Sequence, residues 1–277
     1  MNEIALQVGP ENNLVAVMTP ATSPVRDIAV LLLNAGVIHR IGPHRTNVKL
    51  ARRLAADGLT CVRFDISGIG DSRAPSGAAE FRQQAVADIK SVMDHVEQQA
   101  GIRRFVLFGI CAGAVNAHAA ALADPRVIGA FLVDGYLFPT WKTPLFRGVA
   151  KLRSHGMMGL AQKVARKLFA KRSTAEPVDA AALEHPTRAQ FAADLQALDA
   201  RGVRIALMTT GSFLDRHSYA TQWHDLFRGR PFLPRLKIHF DADIDHTMTT
   251  HAAQQHLLEA VATWSRSMDA PPSGPAR

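Results

Sequence analysis

Short unbroken apolar runs, recurring with helix-like segments between them, restrict most what this chain can fold into. Asp27–Leu33, Leu59–Phe64, Arg104–Phe108 and Val127–Val133 are each dominated by apolar residues, the pattern of strands buried on both faces of a parallel sheet. Between them, Pro43–Ala56 sets Val48, Leu50, Leu54 and Ala55 at helical spacing and stops at Asp57-Gly58. Glu80–Gln99 does the same with Val86, Ile89, Met93 and Val96 on one stripe. Strands alternating with helices imply an α/β fold with a mostly parallel, doubly wound sheet. Ahead of it, Glu3–Val8 and Asn13–Met18 flank the turn cluster Gly9-Pro10-Glu11-Asn12 and read as a hairpin.

The alternation lapses after Tyr136, where a helix over Thr187–Ala200 is the last feature of the break. It resumes with the strand Val203–Met208, a helix near Ser218–Phe227, the strand Leu236–Phe240 and a helix over Thr249–Ser267. We therefore expect a core of residues 1–135 and 202–268, a helical lid inserted over 136–201, and a disordered Pro/Gly/Ser-rich tail at 269–277.

Bulk properties narrow the setting. A chain of 277 residues buries a full core, and it has no apolar run long enough to span a membrane. Its start lacks a secretory signal pattern, and two cysteines make no disulfide framework, so a reduced, cytoplasmic protein is expected. The net charge of +8 is concentrated: Lys142–Arg172 holds nine Lys/Arg and no Asp or Glu, leaving the remainder at −1. Leu145, Val149 and Leu152, then Leu160, Val164 and Leu168, form two apolar stripes there, as in cap helices. The same cations suit an anionic partner: a carrier protein, the phosphates of coenzyme A, or peripheral contact with a membrane surface. Nucleic acid is not expected, since no matching motif is present.

Chemistry concentrates at Phe108-Gly109-Ile110-Cys111-Ala112-Gly113-Ala114. An apolar strand, a turn of small residues and an alanine-rich helix are the setting of a nucleophile elbow, with cysteine where G-x-S-x-G has serine. A thiolate is the attacking form, and a helix N-terminus lowers its pKa. The alternative is a structural cysteine on an ordinary turn, as Cys61, mid-strand, must be. Of twelve histidines, His246 is selected as base by its place between the final strand and the final helix. No cofactor or metal is expected: Asp241-x-Asp243-x-Asp245 lacks the glycine and glutamate of a calcium loop, and Gly68-x-Gly70 continues into Arg73 rather than a third glycine. His246, His251 and His256 are five apart and share no helical face, so they suggest no zinc site.

These features resemble the α/β-hydrolase superfamily along essentially the whole chain. The marks are Asn34-Ala35-Gly36 after a strand, Asp65-x-x-Gly68-x-Gly70-x-Ser72, the elbow, the inserted lid and the late histidine. More narrowly, Asn34–Arg45, the Gly-x-Cys elbow and Asp243-x-Asp245-His246-Thr247 resemble hydrolases associated with bacterial exosortase systems. The resemblance implies an oxyanion hole from the N–H groups of Ala112 and of Gly36 or Val37. It leaves two acids for His246: Asp215, after the strand where most of the superfamily keeps it, and Asp134, at a strand tip used by some members. Asp134 is preferred, with Asp243 and Asp245 behind. His39, Arg40, His44 and Arg45 beside that pocket are candidates to hold a substrate carboxylate or phosphate.

The expected activity is hydrolysis of an ester or thioester through an acyl-thioester on Cys111. Polyhydroxyalkanoate synthases and dienelactone hydrolases, similar in carrying cysteine on this fold, keep transfer to a non-water acceptor open. A non-enzymatic binding protein on a hydrolase fold is the rival class.

Overall fold

A computed structural model describes residues 2–22, 24–146 and 186–269. Its centre is one eight-stranded sheet: β1 (Ile4–Val8), β2 (Leu14–Thr19), β3 (Ala29–Leu32), β4 (Thr60–Phe64), β5 (Phe105–Ile110), β6 (Val127–Val133), β7 (Arg204–Thr210) and β8 (Lys237–Asp241). The spatial order is β1-β2-β4-β3-β5-β6-β7-β8. The β1–β2 hairpin joins β4 antiparallel, and every later pairing is parallel.

Parallel strands need crossovers that cover both faces, so both faces must be apolar. The central strands comply residue by residue. Phe105 and Leu107 of β5 enter one core cluster, while Val106, Phe108 and Ile110 enter the other; Ala29 and Leu31 of β3 divide from Val30 and Leu32 in the same way. The first face is covered by α2 (Phe81–Ala100), α3 (Ala112–Ala123) and α4 (Arg188–Ala200), the second by α1 (Thr46–Ala56) and α6 (His251–Arg266). A short α5 (Gln222–Leu226) precedes β8.

Several elements differ from the sequence reading. The first expected helical turn is a 3₁₀ turn, Pro43–Arg45, in which His44 and Arg45 have φ of 49° and 60°, so α1 begins at Thr46. On α2 the inward stripe runs through Ala85, Ile89, Val92, Met93 and Val96, with Val86 only half-buried. The helix expected from Ser218 shrinks to α5 because Gln222 reaches back: its amide caps the Phe138 and Arg216 carbonyls, and its Oε1 accepts from Ser218 N–H. Within the segment expected as lid, α4 is the crossover helix between β6 and β7, its Phe191, Leu195 and Leu198 buried in the first core. Thr187 and Gln190 close a capping box at its start. The two stripes of the expected cap helices lie outside the described residues apart from Leu145, which is exposed, and the tail beyond 269 lies outside them too. Among the described residues no helix is long and apolar enough to cross a membrane.

Strand order reverses between β3 and β5: the chain runs outward to β4 on one side and to β6, β7 and β8 on the other. Ligands of open α/β sheets bind at the strand carboxyl ends beside such a reversal. Asn34–Val37 leaves β3 there, and Cys111 leaves β5.

Candidate active site

Cys111 sits where β5 ends and α3 begins, with φ 57° and ψ −122°. A non-glycine residue held there costs on the order of 1–3 kcal/mol, so its surroundings must over-determine it. They do. Cys111 N–H donates to Val133 O at 2.9 Å, and its carbonyl accepts from Ala114 and Val115 N–H at 3.0 and 3.2 Å. A Cβ on Gly109 would lie 2.2 Å from the Gly113 carbonyl, and one on Gly113 would lie 2.4 Å from Asn34 O. Both glycines let α3 close against the strand ends, which drives the Cys111 side chain outward.

His246 follows β8. Its backbone N–H donates to Ser212 Oγ at 2.8 Å, and its ring meets the Phe213 ring edge-on at 4.9 Å. Nδ1 lies 2.8 Å from Asp134 Oδ2, which leaves Nε2 to face the thiol. Asp134, also at positive φ (49°), ends β6 with a side chain wholly shielded from solvent. Thr210 at the end of β7 satisfies its carboxylate: Oδ1 accepts the Thr210 N–H at 2.8 Å and Oδ2 accepts the Thr210 hydroxyl at 2.7 Å.

The structure thus sets Asp134, not Asp215, against His246. Asp215 is exposed on the loop after β7 and has no hydrogen bond or ion pair among the described residues. Asp245 turns into its own loop, accepting from Thr247 and Thr249, and those bonds hold its carboxyl well below the usual range. Asp243 donates its N–H to Asp241.

Electrostatics tie thiol to imidazole. The bond to Asp134, followed by the contact with Cys111, raises His246 to about 9. Contact with His246 is the largest influence on Cys111 and lowers its pKa against the opposing effect of burial; the Ala112 N–H beside the sulfur adds to the lowering. The two titrate as a pair, each favouring the charged form of the other. Cys61, fully buried with its thiol pushed far up, is inert core. His217, fully buried between Trp223 and Phe240, is depressed to about 4 by burial and stays neutral.

Ala112 N–H, the first of α3, lies next to the sulfur. Gly36 (φ 59°) and the exposed Val37 have backbone N–H groups with no acceptor among the described residues. Asn34 fixes their loop, donating to Ile38 O at 2.9 Å and Asp65 Oδ1 at 2.8 Å and accepting from Ile66 N–H at 2.9 Å.

Of the four residues expected as candidates to bind an anion, Arg40 and His39 are engaged with carboxylates. Arg40 Nη1 contacts Asp65 Oδ2 at 2.5 Å and Asp71 Oδ2 at 2.7 Å, with His39 Nε2 3.1 Å from Asp71. Two carboxylates already match its charge, which weighs against Arg40 as a ligand for a substrate anion. His39, Asp65 and Asp71 together offer a donor set of the kind metals use, but the Arg40 guanidinium, 2.7 Å from His39 Nε2, fills that position. His44 and Arg45 are exposed on the 3₁₀ turn. Of the basic window, Lys142 is described and is paired with Asp225 at 2.8 Å; Arg147 to Arg172 lie outside the described residues.

A cavity of about 230 Å³ opens beside Cys111 and Ala112, walled by Val115, Tyr136, Phe138 and Phe213, with Arg216 at its edge. Sequence reasoning missed Thr210 and Ser212, which hold Asp134 and His246. The available signal was the polar run Thr209-Thr210-Gly211-Ser212 closing an otherwise apolar strand.

Known proteins place the chain. The family described as "Serine aminopeptidase, S33" matches residues 34–263. No curated protein matches. An esterase from Pyrococcus furiosus superposes with TM-score 0.59 at 12% identity, covering 96% of this chain and 90% of its own. A thermophilic esterase from Thermogutta terrifontis gives 0.56 at 18%, covering 98% and 100%. An alpha-beta serine hydrolase homologue from Coxiella burnetii gives 0.56 at 14%, covering 95% and 96%. At such identities the likeness is one of fold, and the fold is the one the sequence resemblance implied.

Proposed function

The chain belongs to the serine aminopeptidase, S33 family of α/β-hydrolases, and from that premise we propose that it is an acyl-group hydrolase acting on ester or thioester bonds through Cys111. The observation that carries this reading is the relay at the sheet's carboxyl edge: a thiol on a strained elbow, against an imidazole hydrogen-bonded to a buried carboxylate. The family's name carries serine, and Cys111 occupies the centre of the elbow where that serine belongs. The two esterases among the structural neighbours support an ester-type carbonyl as substrate.

In the reaction the Cys111 thiolate attacks the acyl carbon, forming a C–S bond while the carbonyl π pair moves to oxygen. Ala112 N–H and an N–H of Gly36 or Val37 receive that oxyanion. As the tetrahedral centre collapses, the bond to the leaving group breaks and imidazolium His246 gives its proton to the departing alkoxide or thiolate. Water then attacks the acyl-thioester, neutral His246 takes its proton, and release of the acid restores the thiolate–imidazolium pair. Asp134 stays ionised throughout and holds the ring with Nε2 toward sulfur.

Sulfur as nucleophile and nine cations without an acidic residue over Lys142–Arg172 favour thioesters on coenzyme A or a carrier protein. Asn34–Arg45, the Gly-x-Cys elbow and Asp243–Thr247 support a place near the exosortase-associated hydrolases, which specifies no substrate.

Intact-mass measurement after incubation with p-nitrophenyl acetate or acetyl-coenzyme A tests the reading. The expected result is an acetyl adduct on Cys111 that decays in water and is missing in Cys111→Ala. Decay only on adding an alcohol or amine acceptor would make the protein an acyltransferase. No adduct and no turnover would leave a binding protein on a hydrolase fold. Cys111→Ser at full activity would show the sulfur to be incidental.

A further inference from the structure

One charge at this site lacks a partner. Arg216 lines the cavity beside Cys111, and among the described residues its guanidinium has no carboxylate or carbonyl within reach. Nearby cations are matched: Arg40 by Asp65 and Asp71, Lys142 and Arg228 by Asp225. The Arg216 backbone is anchored. Its N–H donates to Phe213 O at 2.9 Å, and its carbonyl accepts from buried Gln222 at 2.6 Å. The same Gln222 amide holds the Phe138 carbonyl at 2.9 Å, so one side chain fixes two stretches of the cavity wall. Phe213, three residues earlier, rests on His246, which places this turn beside the reacting groups. The rest of the wall is mostly apolar or aromatic, Val115, Tyr136, Leu137, Phe138 and Phe213, with Asp134, its carboxylate engaged by Thr210 and His246, also lining it.

We propose that Arg216 determines specificity by binding an anionic oxyacid group on the substrate, a carboxylate or a phosphate. The inference rests on the acyl-transfer reading above and names the substrate class of that site. Arg216 is exposed at the cavity, and its guanidinium offers paired N–H donors that match either group bidentately. The ligand is then amphipathic: a carbonyl at Cys111, an apolar stretch along Val115 and Phe138, and a negative end at Arg216. That end belongs either to the acyl part, as in a dicarboxylic half-ester, or to the leaving thiol, as in coenzyme A. The recognition chemistry is shared.

Two matched substrate pairs separate the sources: p-nitrophenyl valerate against mono-p-nitrophenyl glutarate, and acetyl-N-acetylcysteamine against acetyl-coenzyme A. The full chain should favour the anionic member of one pair by about tenfold or more in kcat/KM, as expected for a charge-assisted bidentate contact. The pair showing the preference identifies the source. Arg216→Gln should erase the preference, Arg216→Glu should invert it, and Arg216→Lys should keep part of it. An anionic-to-neutral ratio unchanged in Arg216→Gln, or no preference in the parent protein, overturns the proposal.

Equilibrium binding decides without turnover. Mono-N-methyl glutaramate and coenzyme A are titrated calorimetrically into Cys111→Ala and Cys111→Ala/Arg216→Gln. Weakening of about tenfold for one ligand is expected, and equal binding to both proteins refutes the role of Arg216. Should the parent protein turn over none of the four substrates, acyl transfer fails while the binding comparison still rules on Arg216.

Discussion

Replacing Asp134 by Asn removes one charge and almost no volume, so its effect reads out the relay directly. The carboxylate accepts three bonds: Thr210 N–H at Oδ1, and the Thr210 hydroxyl and His246 Nδ1–H at Oδ2. An amide keeps only one oxygen. Turned toward the Thr210 N–H to satisfy a buried backbone donor, it presents its NH₂ to the hydroxyl and to Nδ1. The hydroxyl can rotate and accept, but the imidazole must change tautomer, with Nδ1 as acceptor and the proton on Nε2. Nε2–H cannot take a proton from the thiol, and the leading cause of the rise of His246 to about 9 is gone. The same change in a Ser-His-Asp triad costs about 10⁴ in kcat. A thiol depends less on its base, so the expected loss in acylation rate is about 10²–10⁴, or about 2.7–5.4 kcal/mol of transition-state stabilisation. The assay is the burst of p-nitrophenol release at a series of pH values, alongside alkylation of Cys111 by iodoacetamide. Alkylation should shift toward the pH range of an unassisted thiol. Acylation within about threefold of the parent protein, together with a large loss in Asp215→Asn, would refute the assignment of the acid.

The Cys111–His246 pair should give kcat/KM a bell-shaped pH profile. Its acid limb lies below the ordinary thiol pKa because Cys111 is lowered, and its alkaline limb lies near about 9, where His246 loses its proton. Both limbs are readable from initial rates. The sign for stability follows: His246 is raised above its unfolded value, so its contribution is complete below the unfolded pKa and fades as pH rises through about 9, measurable as a falling denaturation midpoint. Thr210→Val keeps the backbone donor and deletes the hydroxyl bond to buried Asp134, which should destabilise the fold by about 1.5–3 kcal/mol in urea unfolding; Thr210→Ser should recover most of it. Arg40→Met leaves the fully shielded Asp65 carboxylate with amide donors but no cation, a loss of about 3 kcal/mol or more by the same measurement.

What could be read from residues alone follows from how local each cause is. The central strands were legible because burial on two faces makes every position apolar, and α3 because small residues must follow a tight turn. His246 was legible by position between the last strand and the last helix. Choosing the acid was harder, since Asp134 and Asp215 both follow strands. What separates them is a Thr210 hydroxyl 76 residues from Asp134, and no local pattern encodes that pairing. Arg40 reads as a candidate ligand for a substrate anion for the same reason: its carboxylate partners stand 25 and 31 residues away. The helix from Ser218 was overcalled because helical spacing does not reveal that Gln222 is engaged with carbonyls of two other segments.

Asp134 at the tip of β6 is the carboxylate hydrogen-bonded to His246, so the loop after β7 need not supply one. Thr210 and Ser212 brace Asp134 and His246, while no side-chain bond links Asp215 or Arg216 to either of them among the described residues. If both proposals hold, proton relay and substrate selection reside on separate stretches of chain. Exchange of residues 214–216 should then retune substrate preference, at the acyl part or the leaving thiol, while the Cys111–His246–Asp134 geometry is kept.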